Sequence, residues 1–171
     1  TSTMYTDLSL LTADEKIGLD GAAFFRNMLT GNLNGNYERL FVSPSGIKSL
    51  LLDRISKEAA KGSNGSIRIK ANSLTERDII DKLAEASAAG TKIQLILRGI
   101  CCLCPGIPQM TENIQVTSIV GRYLEHARIY CFGQGESAEF YLSSADLMSR
   151  NLNRRVEIAC PVQDKEIKRQ L

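Results

Sequence analysis

Apolar positions recur along this chain with two periods, one helical and one of two residues, and the balance between them shifts near its middle. The stretch "TADEKIGLDGAAFFRNMLTG" sets Ile17, Leu19, Ala22, Phe25 and Leu29 at near-helical spacing. Thr12 or Asp14 can cap it, and Gly31 is a natural stop. The Gly/Asn-rich "GNLNGNY" then breaks the pattern and divides an N-terminal piece, residues 1–36, from a main unit, residues 37–171. "RLFVSP" predicts a short strand ended by Pro44, and "SGIKSLLLDRISKEAAKG" a helix capped by Ser45 with Ile47, Leu50, Leu51 and Ile55 on one side. "SIRIKANS" alternates as a strand does, with Ile67 and Ile69 inward. "LTERDIIDKLAEASAAG" opens with the capping-box order Thr75-x-x-Asp78 and closes at Gly90. "KIQLILRG" is a nearly continuous apolar run, as a parallel strand covered on both faces would be. Strands alternating with helices predict right-handed βαβ crossovers. Beyond them "IQVTSIV", "ARIYCFG", "EFYLSSA" and "RRVEIACPV" predict four strands with short connections, and the last residues a helix. The expected fold is α/β, a mixed sheet with flanking helices.

Composition narrows the classes. The 171 residues are 43% hydrophobic and 23% charged, within the globular range, and the apolar runs are too short to span a bilayer. Thr1 in place of an initiator methionine points to an excised or processed chain. A net charge of +2 means that any anion site must come from local clustering of arginines. Cys101, Cys102, Cys104, Cys131 and Cys160 are odd in number and irregular in spacing, which fits a reduced, cytoplasmic protein. "CCLC" lacks the second ligand pair that tetrahedral zinc needs, so these cysteines are expected to be small buried hydrophobes.

Candidate chemistry collects at predicted strand ends, where α/β sheets bind ligands. Arg98 ends "KIQLIL", "SSAD" (143–146) ends "EFYL", and in an extended "HARIYCF" the only histidine, His126, shares a face with Arg128. Arg150, Arg154 and Arg155 follow, and the arginine fork suits phosphate. Each has an ordinary reading too. His126 is also a plain strand residue beside Glu125, Arg98 a strand terminator, "SSAD" a turn, and the later arginines a solvated face.

Four longer stretches resemble one family. "YTDLSLLTAD", "LILRGICCLCPGIP", "ENIQVTSIVGRYLEHARIYCFG" and "YLSSADLMSRNLNRRVEIACPV", in that order, are similar to the C-terminal catalytic region of the large, histidine-phosphorylated bacterial polyphosphate kinases. The resemblance covers essentially the whole chain. It implies two tandem phospholipase D-like domains, with residues 1–36 the tail of the first and 37–171 the second. It implies reversible transfer of the terminal phosphate of ATP to inorganic polyphosphate, leaving ADP, through a phosphohistidine upstream of Thr1. Under it, His126 is the family's second histidine, which binds ATP phosphates or supports transfer, and Tyr5 and Arg98 contact the nucleotide. Arg128, Arg150, Arg154 and Arg155 are candidate polyphosphate contacts. Magnesium is implied with ligands upstream, so no metal residue is assigned here. The rest of the same polypeptide and a homo-oligomer are implied partners, and nucleic acid is not. The intact enzyme is expected in the cytoplasm, with scope for peripheral membrane association.

Some positions depart from the pattern. Arg128 stands where phospholipase D motifs have lysine, as is usual for these kinases, while Thr3 and Leu147 replace the family's common basic residue and tryptophan. Two other classes remain open on the residues alone. A phospholipase D-like phosphodiester enzyme would need two His-x-Lys motifs, from one chain or a dimer, and this chain has one histidine, in a His-x-Arg setting. A non-catalytic polyanion- or nucleic-acid-binding module would be expected to be more basic and more aromatic than 6%.

Overall fold

Alternation decides which strand positions meet the helices, and the core follows from it. A computed structural model describes residues 3–44 and 46–171. The elements are β1 (Tyr5–Thr6), α1 (Glu15–Thr30), β2 (Phe41–Val42), α2 (Gly46–Ala59), β3 (Ser66–Ala71), α3 (Arg77–Ala88), β4 (Lys92–Leu97) and β5 (Ile114–Ser118). After these come β6 (Leu124–Glu125), β7 (Arg128–Phe132), β8 (Glu139–Ser143), α4 (Ser149–Asn153), β9 (Ile158–Val162) and α5 (Lys165–Gln170). Seven strands form one mixed sheet in the order β2-β9-β8-β7-β3-β4-β5, while β1 and β6 make a separate parallel pair. β3, β4 and β5 are parallel, and β7, β8 and β9 continue the sheet antiparallel.

Ile67 and Ile69 of β3, Leu95 of β4 and Tyr130 of β7 lie under α2 and α3, where Ile47, Leu51, Ile55, Ile79 and Leu83 complete one apolar cluster. Burying each such side chain stabilises the fold by roughly 1.5–3 kcal/mol. The other face carries a smaller cluster, Cys131, Phe140 and Val162, with Leu10 and Ile167 of α5 against it. Over β3 and β4 that face shows Arg68, Lys92, Gln94 and Ile96 to solvent. β4 is therefore covered on one face, not both as its apolar run predicted, and its buried residues alternate strictly.

Several predicted details change. Asp14 caps α1, its carboxylate accepting from the Ile17 N–H at 2.9 Å, and Gly31 ends the helix at φ 70°. Yet Leu19, Phe25 and Leu29 are exposed, and α1 packs through Phe24 against Leu40 and Val42 instead. Asp20 fixes that packing by accepting the N–H groups of Glu38, Arg39 and Leu40. The Ser45 cap lies outside the described residues. The Thr75–Asp78 capping box does not form. Glu76 is the cap residue of α3, and Asp78 pairs with Lys48 at 2.6 Å. The predicted short β8–β9 connection holds α4, and Cys102 and Cys104 are exposed, not buried. Among the described residues no helix is long and apolar enough to cross a membrane.

The segment after β3 positions the site. The Leu74 N–H donates to Ile100 O at 2.8 Å, and Cys102 N–H returns a bond to Leu74 O at 2.9 Å. Leu147 N–H donates to Ser73 O at 3.1 Å, and the N–H groups of Thr75 and Glu76 both reach Leu147 O. The loops after β3, β4 and β8 are thus tied backbone to backbone.

Candidate functional site

Those three tied loops bring together Asn72, Arg98 and Asp146, and the start of β7 adds Arg128. Asp146 is buried. Its carboxylate accepts from the Asn72 N–H at 2.7 Å and from Asn72 Nδ2 at 3.1 Å. It also accepts from Arg128, Nε at 3.3 Å and Nη2 at 2.9 Å. The Asn72 side-chain oxygen in turn accepts from Arg98 Nε at 3.0 Å. Burial alone would raise the Asp146 carboxyl, but the Arg128 and Asn72 hydrogen bonds and the Arg128 charge outweigh it and hold it below the ordinary carboxylate value.

His126 sits just before β7. Arg128 Nη1 is 3.1 Å from both of its ring nitrogens. An atom in the ring plane could meet both at that distance only by colliding with the carbon between them, so the guanidinium lies over the ring face. The ring edge is claimed from the N-terminal side. The β1–β6 ladder, continued by His126 N–H donating to Thr6 O at 2.9 Å, delivers Tyr5 and Asp7 to the imidazole. Asp7 Oδ2 is 2.6 Å from His126 Nδ1, and the Tyr5 ring meets the imidazole edge-on at 4.9 Å. Burial pushes the Asp7 carboxyl up, but the hydrogen bonds from His126 and the Leu8 N–H, with the His126 and Arg128 charges, carry it below its usual value.

The structure therefore brings Tyr5, Arg98, His126 and Arg128 to one end of the sheet in a continuous run: Arg98, Asn72, Asp146, Arg128, His126, Asp7. Arg150, Arg154 and Arg155 are exposed on α4 and its exit, and no described hydrogen bond joins them to that run. Arg155 lies 3.8 Å from Glu157. Glu125, beside His126 in sequence, pairs with Lys70 at 2.9 Å and leaves the imidazole to Asp7.

Asn72 and Asp7 were not legible as site residues. Asn72 follows the alternating "SIRIKA" directly, at a carboxyl strand end, which is a usable signal. Asp7 is two residues from Tyr5, on the same side of an extended segment. Among the described residues no group of three or more His, Cys, Asp or Glu side chains could hold a metal.

Comparison with known proteins finds relatives along the whole chain. Residues 40–171 match the family model of polyphosphate kinase C-terminal domain 2. The polyphosphate kinase of Staphylococcus haemolyticus is 51% identical over 174 residues, covering all of this chain and 24% of that one, and that of Halalkalibacterium halodurans is 45% identical over the same length. This chain thus spans about a quarter of the length of the curated relatives it matches. The crystal structure of polyphosphate kinase from Porphyromonas gingivalis superposes with a TM-score of 0.85 at 40% identity, over 93% of this chain and 25% of that one. Nuc, a phospholipase D family member from Salmonella typhimurium, shares the fold with a TM-score of 0.56 at 15% identity, over 77% of this chain and 86% of that one. The mixed sheet is a phospholipase D-like sheet, and the chain belongs to the polyphosphate kinase family, matching its C-terminal region.

Proposed function

We propose that this chain supplies the nucleotide- and phosphate-facing wall of an enzyme that moves the terminal phosphoryl group of ATP reversibly onto inorganic polyphosphate, leaving ADP. The phosphohistidine belongs to the same polypeptide outside residues 1–171, with residues 1–36 the tail of one catalytic domain and 37–171 a second. The observation that carries this is the unbroken side-chain run from Arg98 to His126 and Asp7 at a carboxyl strand end.

Phosphoryl transfer asks for positioning and charge compensation more than for covalent chemistry by many groups. Arg98 offers its fork to phosphate oxygens. Asp7 against Nδ1 selects the tautomer of His126 that leaves Nε2 free to meet a phosphate, as acceptor when neutral and as donor when charged. Tyr5, edge-on to the imidazole, orients the nucleotide. Arg150, Arg154 and Arg155 line a path for the polymer, and the intact enzyme is an oligomer in the cytoplasm. Asp7 and Asp146 do not form a magnesium site, because Asp7 is held by His126 and the Leu8 N–H and Asp146 by Arg128 and Asn72.

In the full-length protein, Arg98→Ala and His126→Ala should each cut ATP-dependent polymer synthesis about a hundredfold or more. Wild-type rates in both would overturn the proposal. Labelling the full-length protein with γ-labelled ATP and mapping the phosphohistidine should place it outside residues 1–171, and label on His126 would move the phosphoenzyme into this chain.

A further inference from the structure

We infer that Asn72 and Asp146 are positioning residues that set the direction in which Arg98 presents its terminal nitrogens to a phosphate. The identity of the ligand rests on the function proposed above, but the positioning itself is read from hydrogen-bond geometry.

A carboxylate offers about four acceptor positions, and Asp146 has four donors on it, two from Arg128 and two from Asn72. Its role is to hold. Because the carboxylate accepts from Asn72 Nδ2, the amide oxygen must point away, and there Arg98 Nε donates to it at 3.0 Å. The flipped amide would set its oxygen against the negative charge of Asp146 and its NH2 against the Arg98 guanidinium, so both ends oppose the flip. One buried charge thereby fixes an amide, and the amide fixes a guanidinium.

The two arginines on this device end up differently. Arg128 is spent: its side chain is 11% exposed, Nε and Nη2 lie on Asp146, and Nη1 lies over the imidazole. Arg98 is anchored through Nε alone, and its two terminal nitrogens have no partner among the described residues. Those two N–H-bearing atoms form the fork that takes phosphate oxygens in pairs. The backbone keeps Arg98 at this range from Asn72. Gly99 N–H donates to Asn72 O at 2.6 Å, an approach that a Cβ at Gly99 would crowd at 3.1 Å from both Asn72 O and Ser73 Oγ.

A double-mutant cycle on kcat/KM for ATP in the full-length enzyme tests this. Asn72→Ala should lower kcat/KM about tenfold, and Asn72→Ala combined with Arg98→Ala should be no worse than Arg98→Ala alone. A residue that only supported folding would lower activity by the same factor in either background. Multiplying effects, or an unchanged kcat/KM in Asn72→Ala, would overturn the inference while leaving the proposed function standing. Wild-type kcat/KM in Arg98→Ala would also overturn the inference, and only with wild-type rates in His126→Ala as well would it overturn the proposed function. Should the alanine variant not fold, Asn72→Ser, whose hydroxyl cannot span both Asp146 and Arg98, carries the same expectation.

Discussion

The two ends of the parallel strands differ in what they hold. At their amino ends lies a cleft of 520 Å³, lined by Ser66, Arg68, Lys92, Gln94, Gln115 and Gln134 among others. At their carboxyl ends the side chains form one connected run from Arg98 to Asp7. The end with the cleft has the weaker organisation. Arg68, one of its two cations, donates to Cys131 Sγ at 3.2 Å and rests over the Phe140 ring, with no carboxylate among the described residues to aim it. The topology explains the contrast. The loops leaving β3, β4 and β8 are hydrogen-bonded to one another, so a side chain on one is held in register with those on the others. Donors fixed before the substrate arrives need not reorganise during transfer, which under the proposed function matters more than volume.

The largest break in this comparison should come from Asp146→Ala. It leaves Arg128 charged, mostly buried and without its carboxylate, and such a loss destabilises by about 3–5 kcal/mol. Denaturant unfolding of the full-length protein should show it as an earlier transition, and an unshifted curve would mean that the carboxyl end is no better wired than the amino end. The same contribution can be titrated away. Asp146 titrates below the ordinary carboxyl value of 3.8, so its stabilisation is complete above that pH and is lost as pH falls through the lower folded value. Acid unfolding followed by circular dichroism should therefore be less steep in Asp146→Asn than in wild type below pH 3.8. Equal steepness would show that the carboxyl has no preferential tie to Arg128 in the folded state.

Gly99→Ala should come next. The added methyl meets a backbone oxygen and Ser73 Oγ, both at 3.1 Å, and small crowding of this kind costs about 1–3 kcal/mol. A shift of a few tenths of an ångström between Arg98 and Asn72 should lower kcat/KM for ATP about tenfold. Wild-type kinetics would show that the site tolerates slack between its strand ends.

How far the chain could be read in advance follows the same division. Strands and helices of strong period were legible: Ile67 and Ile69 point inward, and Ile47, Leu51 and Ile55 face the sheet as their spacing says. Periodicity failed where partners decide. "KIQLIL" carries Ile96 to solvent because nothing described covers that side of β4, and Leu19 and Phe25 stay exposed because Asp20 and Phe24 hold α1 by its other side. Thr75 lost its cap role because Glu76 is drawn into hydrogen bonds with Ser149 and Lys48. Arg98, His126 and Arg128 could be picked out as polar residues at strand ends. Asn72 had only its place at a strand end as a signal, since a neutral amide declares its role fully only when its two ends have named partners.

The smallest effect belongs to the amino-end cleft, and it sharpens the comparison because it is expected to be nearly nil. Gln94 and Gln115 are exposed and lie side by side in the β4–β5 register, on the sheet face opposite the helices. Neither has a described hydrogen bond to a charged group. Replacing both with alanine should change unfolding free energy by no more than about 0.5 kcal/mol per site, as for other surface positions without special contacts. ATP-dependent polymer synthesis by the full-length enzyme should stay within about twofold of wild type, since neither side chain belongs to a held network. A tenfold loss in the double variant would place part of the phosphate path at the amino ends of the strands. Hydrogen-bond wiring would then have misidentified the working end of the sheet, and the cleft would have been the better guide.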